Sequence, residues 1–200
     1  MFKYYSRSVI NRNIIKLIRN PKNKIIISMG GGGATSIAGN IAVLDILNKF
    51  HLLNYIEEVW ATSAGAIIGA LFCSRKSPKY MKKIAFNLDL SVFKIKFFNI
   101  IRNLFLRQKR YGIISMQKVK KILKQHCYRN FNDLHPAFYC LAYDNDDKKL
   151  EILKEGLVIP AVSASCSIPG IFVPEKINHH KFVDGGMLEI QKLKVKRQNL

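Results

Sequence analysis

The first place in this 200-residue chain where chemistry could happen is a serine set among very small residues. Val59-Trp60-Ala61-Thr62-Ser63-Ala64-Gly65-Ala66-Ile67-Ile68-Gly69-Ala70 is an apolar run that stops at Ser63 and resumes as a helix-like stretch of Ala, Gly and Ile. A strand that turns straight into a helix folds its backbone close to itself. The positions two before and two after the turning residue must therefore be nearly free of side chain. Ala61 and Gly65 meet that requirement, Ala61 less fully than a glycine would, and Thr62 and Ala64 complete the elbow. At the tip, Ser63 could act as a nucleophile. A buried helix that happens to contain a serine accounts for the same residues.

A serine hydroxyl attacks poorly at neutral pH without an adjacent base, and the tetrahedral oxyanion it creates needs donors fixed in advance. Both parts have candidates. Lys181-Phe182-Val183-Asp184-Gly185-Gly186 reads as a short strand that delivers Asp184 into two glycines, which leaves its carboxylate free to face another strand's tip; a plain Asp-Gly turn is the alternative. Earlier in the chain, Ile25-Ile26-Ile27 runs into Gly30-Gly31-Gly32-Gly33 and then Ala34. Glycines there let backbone N–H groups reach an anion. No Lys-Ser/Thr follows, as a nucleotide-binding P-loop requires, and the G-x-G-x-x-G spacing is absent. An oxyanion hole fits Gly31, Gly32, Gly33 and Ala34 better.

The elements that must position these groups follow from periodicity. Residues 23–28 predict a strand, 39–50 a helix, 58–61 a second strand and 64–73 a helix apolar on every side, which should lie close against a sheet through Gly65 and Gly69. Ser77-Pro78 starts another helix, with Tyr80, Met81, Ile84 and Leu88 as its periodic face. Ser115 caps a helix through Met116, Val119, Ile122, Leu123 and Cys127. Residues 137–143 and 149–153 pair as a hairpin around Asp144-Asn145-Asp146-Asp147. That cluster lacks the ligand spacing of a calcium loop, so a turn is expected and no metal. Residues 160–168 form a small-residue helix stopped by Pro169-Gly170, after which 171–174 extends.

Length allows one domain with a substantial core, and 48% hydrophobic content argues against disorder. The charge is unusual: 33 Lys and Arg against 13 Asp and Glu give +20. Such a surface attracts polyanions, either nucleic acid or anionic lipid headgroups, although biased codon usage would produce the same excess. No nucleic-acid motif is present. Residues 1–23 form a purely basic leader with no uninterrupted apolar core, which argues against a secretory signal. Residues 91–110 mix Phe, Ile and Leu with Lys and Arg and no acid. That suits a membrane-facing cap and equally a core-packing helix with a solvated basic face. The four cysteines, at 73, 127, 140 and 166, form no C-x-x-C pair and read as reduced, mostly buried thiols of a cytoplasmic protein.

Taken in order, these signals resemble the patatin-like phospholipase family. The stretches that carry the resemblance are Ser28-Met29-Gly30-Gly31-Gly32-Gly33-Ala34, Ala61-Thr62-Ser63-Ala64-Gly65, the run from Ala161 through Pro169-Gly170-Ile171-Phe172-Val173-Pro174, and Val183-Asp184-Gly185-Gly186. The resemblance implies an α/β protein, a three-layer α/β/α hydrolase with a mainly parallel central sheet over residues 24–190. It also implies a lipid acyl hydrolase of phospholipase A or lysophospholipase type that needs no cofactor. Ser63 would be its nucleophile, Asp184 its base, supported by Gly185 and Gly186, and the amides of Gly31 to Ala34 its oxyanion hole. Its partners would be a phospholipid or other acyl ester and, peripherally, an anionic membrane surface. Oligomeric state is not readable.

Two features depart from the family pattern. An Arg or Lys usually follows the glycine loop, whereas Thr35 and Ser36 stand here. After Gly186 the chain runs Met187-Leu188-Glu189-Ile190-Gln191 into a basic tail, 191–200, so the fold's last elements are expected to be truncated, with a weak or inactive lipid-binding protein as the alternative function. A Ser-His-Asp hydrolase would require His180 with Asp144 or Asp146, in a chain order unlike the usual α/β-hydrolase.

Overall fold

The computed structural model describes residues 25–87 and 115–186, and all structural statements concern these. The expected leader 1–23, the 91–110 segment, Leu88 and the chain beyond Gly186 lie outside the described residues. In chain order the elements are β1 (Ile25–Met29), α1 (Gly33–Lys49), a 3-10 turn (Leu53–Tyr55), β2 (Ile56–Thr62), α2 (Ala64–Cys73), α3 (Pro78–Asn87), α4 (Gln117–His126), a 3-10 turn (Phe131–Asp133), β3 (Ala137–Asp144), β4 (Lys149–Leu153), α5 (Val158–Ser165), β5 (Glu175–Ile177) and β6 (His180–Asp184). The architecture is mixed α/β, as the sequence implies.

β1, β2 and β3 run parallel, with Met29 beside Ala61 and Ala61 beside Cys140. The β-branched run at 25–27 suits such a strand, since Val and Ile pack well on a pleated surface. β4, β5 and β6 are antiparallel additions. Alternation along β3 buries Phe138, Cys140, Ala142 and Asp144, and this face receives the helices. α2 lies there with all ten residues buried, because no position in it is polar. A Cβ on Gly69 would stand 2.7 Å from the Phe138 ring and 3.3 Å from Ala61 and Val59, so the glycine is what allows the helix this near to the sheet. α5 covers the next part of the same face, where the Cys140 thiol donates to the Ala161 carbonyl (3.4 Å) and Ala164 packs with Ala142 and Phe182.

The register around β3 decides how the chain's far ends meet. β4 pairs with residues 140–144 of β3 and so occupies one edge there. β2 pairs with 137–141 and β6 with 142–144. β6 must therefore lie on β2's edge, continuing where β2 stops. Thr62 is opposite Leu141 and Asp184 is opposite Ala142, consecutive residues about 3.4 Å apart along the strand. The last residues of β2 and β6 thus face each other tip to tip.

Several boundaries differ from the sequence expectations. α1 begins at Gly33, six residues earlier than the apolar pattern indicates, so Gly33 and Ala34 are helical. β2 starts at Ile56 and ends at Thr62, longer at both ends. α5 starts at Val158, with Pro160 in its first turn where no backbone N–H is required. The chain after 171–174 forms β5, which returns through Asn178 and His179, both at positive φ, into β6. Among the described residues no helix is long and apolar enough to cross a membrane.

Candidate active site

Ser63 sits between β2 and α2 with φ 53° and ψ −131°, a left-handed backbone that a non-glycine residue adopts only when its surroundings enforce it. Three hydrogen bonds, one of them braced by a fourth, do so. The Ser63 N–H donates to Ser165 Oγ (2.8 Å), whose own hydroxyl donates to the Leu141 carbonyl (2.6 Å). The Ser63 carbonyl accepts from the Cys166 thiol (3.0 Å) and from the Ala66 N–H (2.8 Å). Ser165 is fully buried, and its deletion would leave the Ser63 N–H without a partner. Ser165→Ala is therefore expected to lower stability by about 1–3 kcal/mol, read from urea unfolding.

The glycine loop presses against this turn. A Cβ at Gly31 would come within 2.8 Å of Ser63 Cβ and 3.4 Å of Ser63 Oγ, so Gly31 lies directly alongside the hydroxyl. Gly65, two residues on, packs under the carbonyls of Met29 and Gly30. Gly32 has φ 139° and Gly33 φ 63°, conformations that favour glycine. Gly33 and Ala34 open α1, and the first N–H groups of a helix have no partner within it. Side chains of α1 hold the loop. Ser36 Oγ and Asn40 Nδ2 donate to the Gly30 carbonyl, and Thr35 Oγ1 donates to that of Gly32 (2.9 Å). Thr35 and Ser36, noted from sequence only as a departure, are thus the loop's supports. Hydroxyls in the first turn of a helix were the signal for that role.

Asp184 ends β6 with its side chain buried, 2% exposed. Its N–H donates to the Ser167 carbonyl and its Oδ1 accepts from the Gly186 N–H, both at 2.9 Å. A Cβ on Gly186 would lie 3.4 Å from Asp184 Oδ1 and 3.8 Å from the Thr62 side chain, which brings the carboxylate and the elbow to one spot. Gly185 packs on the Ala142 backbone. Burial pushes the Cys140 thiol up to about 12, and the Asp184 charge adds to that effect; burial and the same charge raise Cys166 as well. Below the site, Ser163 Oγ donates to Glu175 (2.7 Å), which also pairs with Lys120 (2.6 Å), tying α5 to β5 and α4. Sequence reading assigned these residues no role.

The Ser-His-Asp alternative fares differently. His180 Nδ1 does meet Asp144 Oδ2, at 2.7 Å, but at the opposite end of β6, four residues and about 13 Å from Asp184. Asp144, Asp146 and His180 bring candidate ligand atoms within 4.8 Å of one another. Their lone pairs serve the hairpin. Asp144 Oδ1 accepts from the amides of Asp146 and Asp147, and Asp146 Oδ2 from the Lys181 N–H. Burial works to raise the Asp144 pKa, yet the amides of Asp147 and Asp146 and the His180 ring outweigh it and hold the group below its ordinary 3.8. A carboxyl lowered by folding contributes stability that is fully present above its unfolded pKa and disappears as pH falls through the folded one. Between pH 7 and pH 3 the urea midpoint of wild type should therefore fall further than that of Asp144→Asn, which lacks the contribution at both.

With this geometry in hand, residues 27–189 match the family model described as patatin-like phospholipase. The chain belongs to the patatin-like phospholipase family. A patatin-like phospholipase domain-containing protein of Caenorhabditis elegans is 23% identical over 171 residues, which cover 82% of this chain and 15% of that relative. Among solved structures, VipD from Legionella pneumophila superposes with a TM-score of 0.56 at 15% identity, over 84% of this chain and 46% of that one, a likeness of fold. The ExoU–SpcU complex from the type III secretion system of Pseudomonas aeruginosa gives 0.48 at 20% identity, over 74% and 37%. This patatin-like chain spans less than half the length of each of these proteins.

Proposed function

We propose that this protein hydrolyses acyl esters of lipids, phospholipids or lysophospholipids, through a Ser63–Asp184 dyad. The observation that carries the reading is the meeting of β2 and β6 on one edge of β3, with Gly31 against Ser63 and Asp184 one residue along from Thr62. In the proposed reaction Asp184 takes the Ser63 proton as Oγ attacks the acyl carbonyl. The oxyanion is met by amides of the loop from Gly31 to Ala34, donors worth about 3–4 kcal/mol each in such sites, and the N-terminal dipole of α2 adds to the field. The alcohol leaves with the proton from Asp184, giving an acyl-Ser63. Water then attacks, its proton passing to Asp184 and on to Ser63 Oγ, and the fatty acid departs. No cofactor enters these steps.

The charge of +20 supports peripheral contact with an anionic membrane on the cytoplasmic side, and it equally suits a lipid-binding protein without turnover. A fluorophosphonate probe separates the two. Wild type should take one label per chain and release fatty acid from phospholipid vesicles, and Ser63→Ala should do neither. Vesicle binding without label or release by wild type would leave only the lipid-binding reading.

A further inference from the structure

At the opposite end of the strands from Ser63, where β2 and β3 begin, a cleft of about 440 Å³ opens between the ends of α1 and α2 and the start of α3. β2 is seven residues long, so the cleft lies roughly 20 Å from the elbow. Ile56 and Phe72 contribute apolar surface; Arg75, Lys76, His135 and Asn54 contribute donors, and no Asp or Glu among the described residues lines it. Arg75 makes no side-chain hydrogen bond or ion pair among the described residues. Lys76 Nζ lies over the face of Tyr80, 5.7 Å from the ring centre.

Arg75 also stands at a helix end. The Lys76 N–H bonds to the Leu71 carbonyl (3.1 Å) and the Arg75 N–H to that of Phe72 (2.8 Å), the paired closure that ends a helix on a left-handed residue. Arg75 is that residue, with φ 61°. Glycine is the usual occupant, because it takes this conformation without strain. His51 closes α1 in the same way, with φ 57°, so it is the place of Arg75 on the cleft, without a side-chain hydrogen bond or ion pair among the described residues, that makes it a candidate for binding.

We propose that this cleft binds a phosphate group carried on a compact organic body. A guanidinium, an ammonium and an imidazole group on the residues of one cleft suit the several oxygens of a phosphate better than one carboxylate. The volume exceeds that of inorganic phosphate and falls in the range of small-molecule sites, with Ile56 and Phe72 available to the organic part. The phosphate could be that of a soluble metabolite or of a lipid headgroup. A bilayer presenting substrate to Ser63 would lie beyond the other end of the strands, which favours the soluble source. The proposal does not depend on Ser63 being active.

The test is binding of AMP, and of phosphatidylcholine vesicles with and without phosphatidic acid, to the full chain. AMP should bind, and Arg75→Gly and Arg75→Glu/Lys76→Glu should weaken it about tenfold or more, while Lys121→Glu/Lys124→Glu, with the same charge change on α4, leaves it within twofold. Arg75→Gly should at the same time raise Tm by about 2–4 °C, since glycine relieves the backbone. Binding of phosphatidic acid vesicles that needs Arg75 and resists AMP assigns the phosphate to a lipid. No binding of either ligand, equal loss in the α4 control, or a lower Tm with unchanged binding in Arg75→Gly overturns the proposal.

Discussion

Replacing Asp184 by Asn is expected to cut ester hydrolysis by about 10²–10⁴-fold, the usual contribution of a positioned general base, without unfolding the protein. Asn keeps an oxygen that can accept from the Gly186 N–H, the bond that orders the end of β6. It cannot take a proton from Ser63. It also removes a negative charge from a site only 2% exposed, next to the buried thiols of Cys140 and Cys166. With the Gly186 bond retained, Tm should hold as activity falls. Turnover and Tm measured on the same preparations check this. If activity is lost only in proportion to folded protein, the carboxylate is a structural group and the dyad is wrong.

Gly65→Ala should have the largest effect on the fold itself. The new methyl would overlap the Met29 carbonyl and stand 2.7 Å from that of Gly30, and both obstacles are backbone, which cannot swing aside as a side chain would. Overpacking usually costs about 1–3 kcal/mol; here the strand β1, the glycine loop and the elbow must part together, so the loss should reach or exceed the upper figure, a drop in Tm of at least about 6 °C. Fluorophosphonate labelling should fall with it as Gly31 moves away from Ser63. Gly39→Ala is the control. Nothing among the described residues lies within 4 Å of a Cβ there, and alanine within a helix should stabilise by about 0.5–1 kcal/mol.

Much of the candidate site's geometry was legible because steric demands leave marks in sequence. The elbow needs small residues at 61 and 65, and the helix beginning at Ala64 has no polar position, so its boundaries could be read without error. The β3–β4 hairpin announces itself by alternation and by its Asp cluster. Other features leave no local mark. Gly33-Ala34-Thr35-Ser36 looks like loop, and it becomes helix because Thr35 and Ser36 bond back to the glycine carbonyls. The turn between β5 and β6 uses Asn178 and His179 at positive φ, where a pattern search waits for glycine. The Ser63–Ser165 bond joins residues 102 apart. That β6 continues β2 along one edge of β3 follows from register alone, and single-strand periodicity carries no register between distant strands.

The thiol of Cys166 acquires a use from its bond to the Ser63 carbonyl. Burial raises its pKa well above the ordinary thiol value, with the Asp184 charge adding to the rise, so the closed molecule offers almost no thiolate at neutral pH. Alkylation at this position must therefore wait for the elbow to open. The slow reaction of an untouched native cysteine with a small electrophile becomes a clock for excursions of the turn beside Ser63, running at equilibrium and without an introduced reporter.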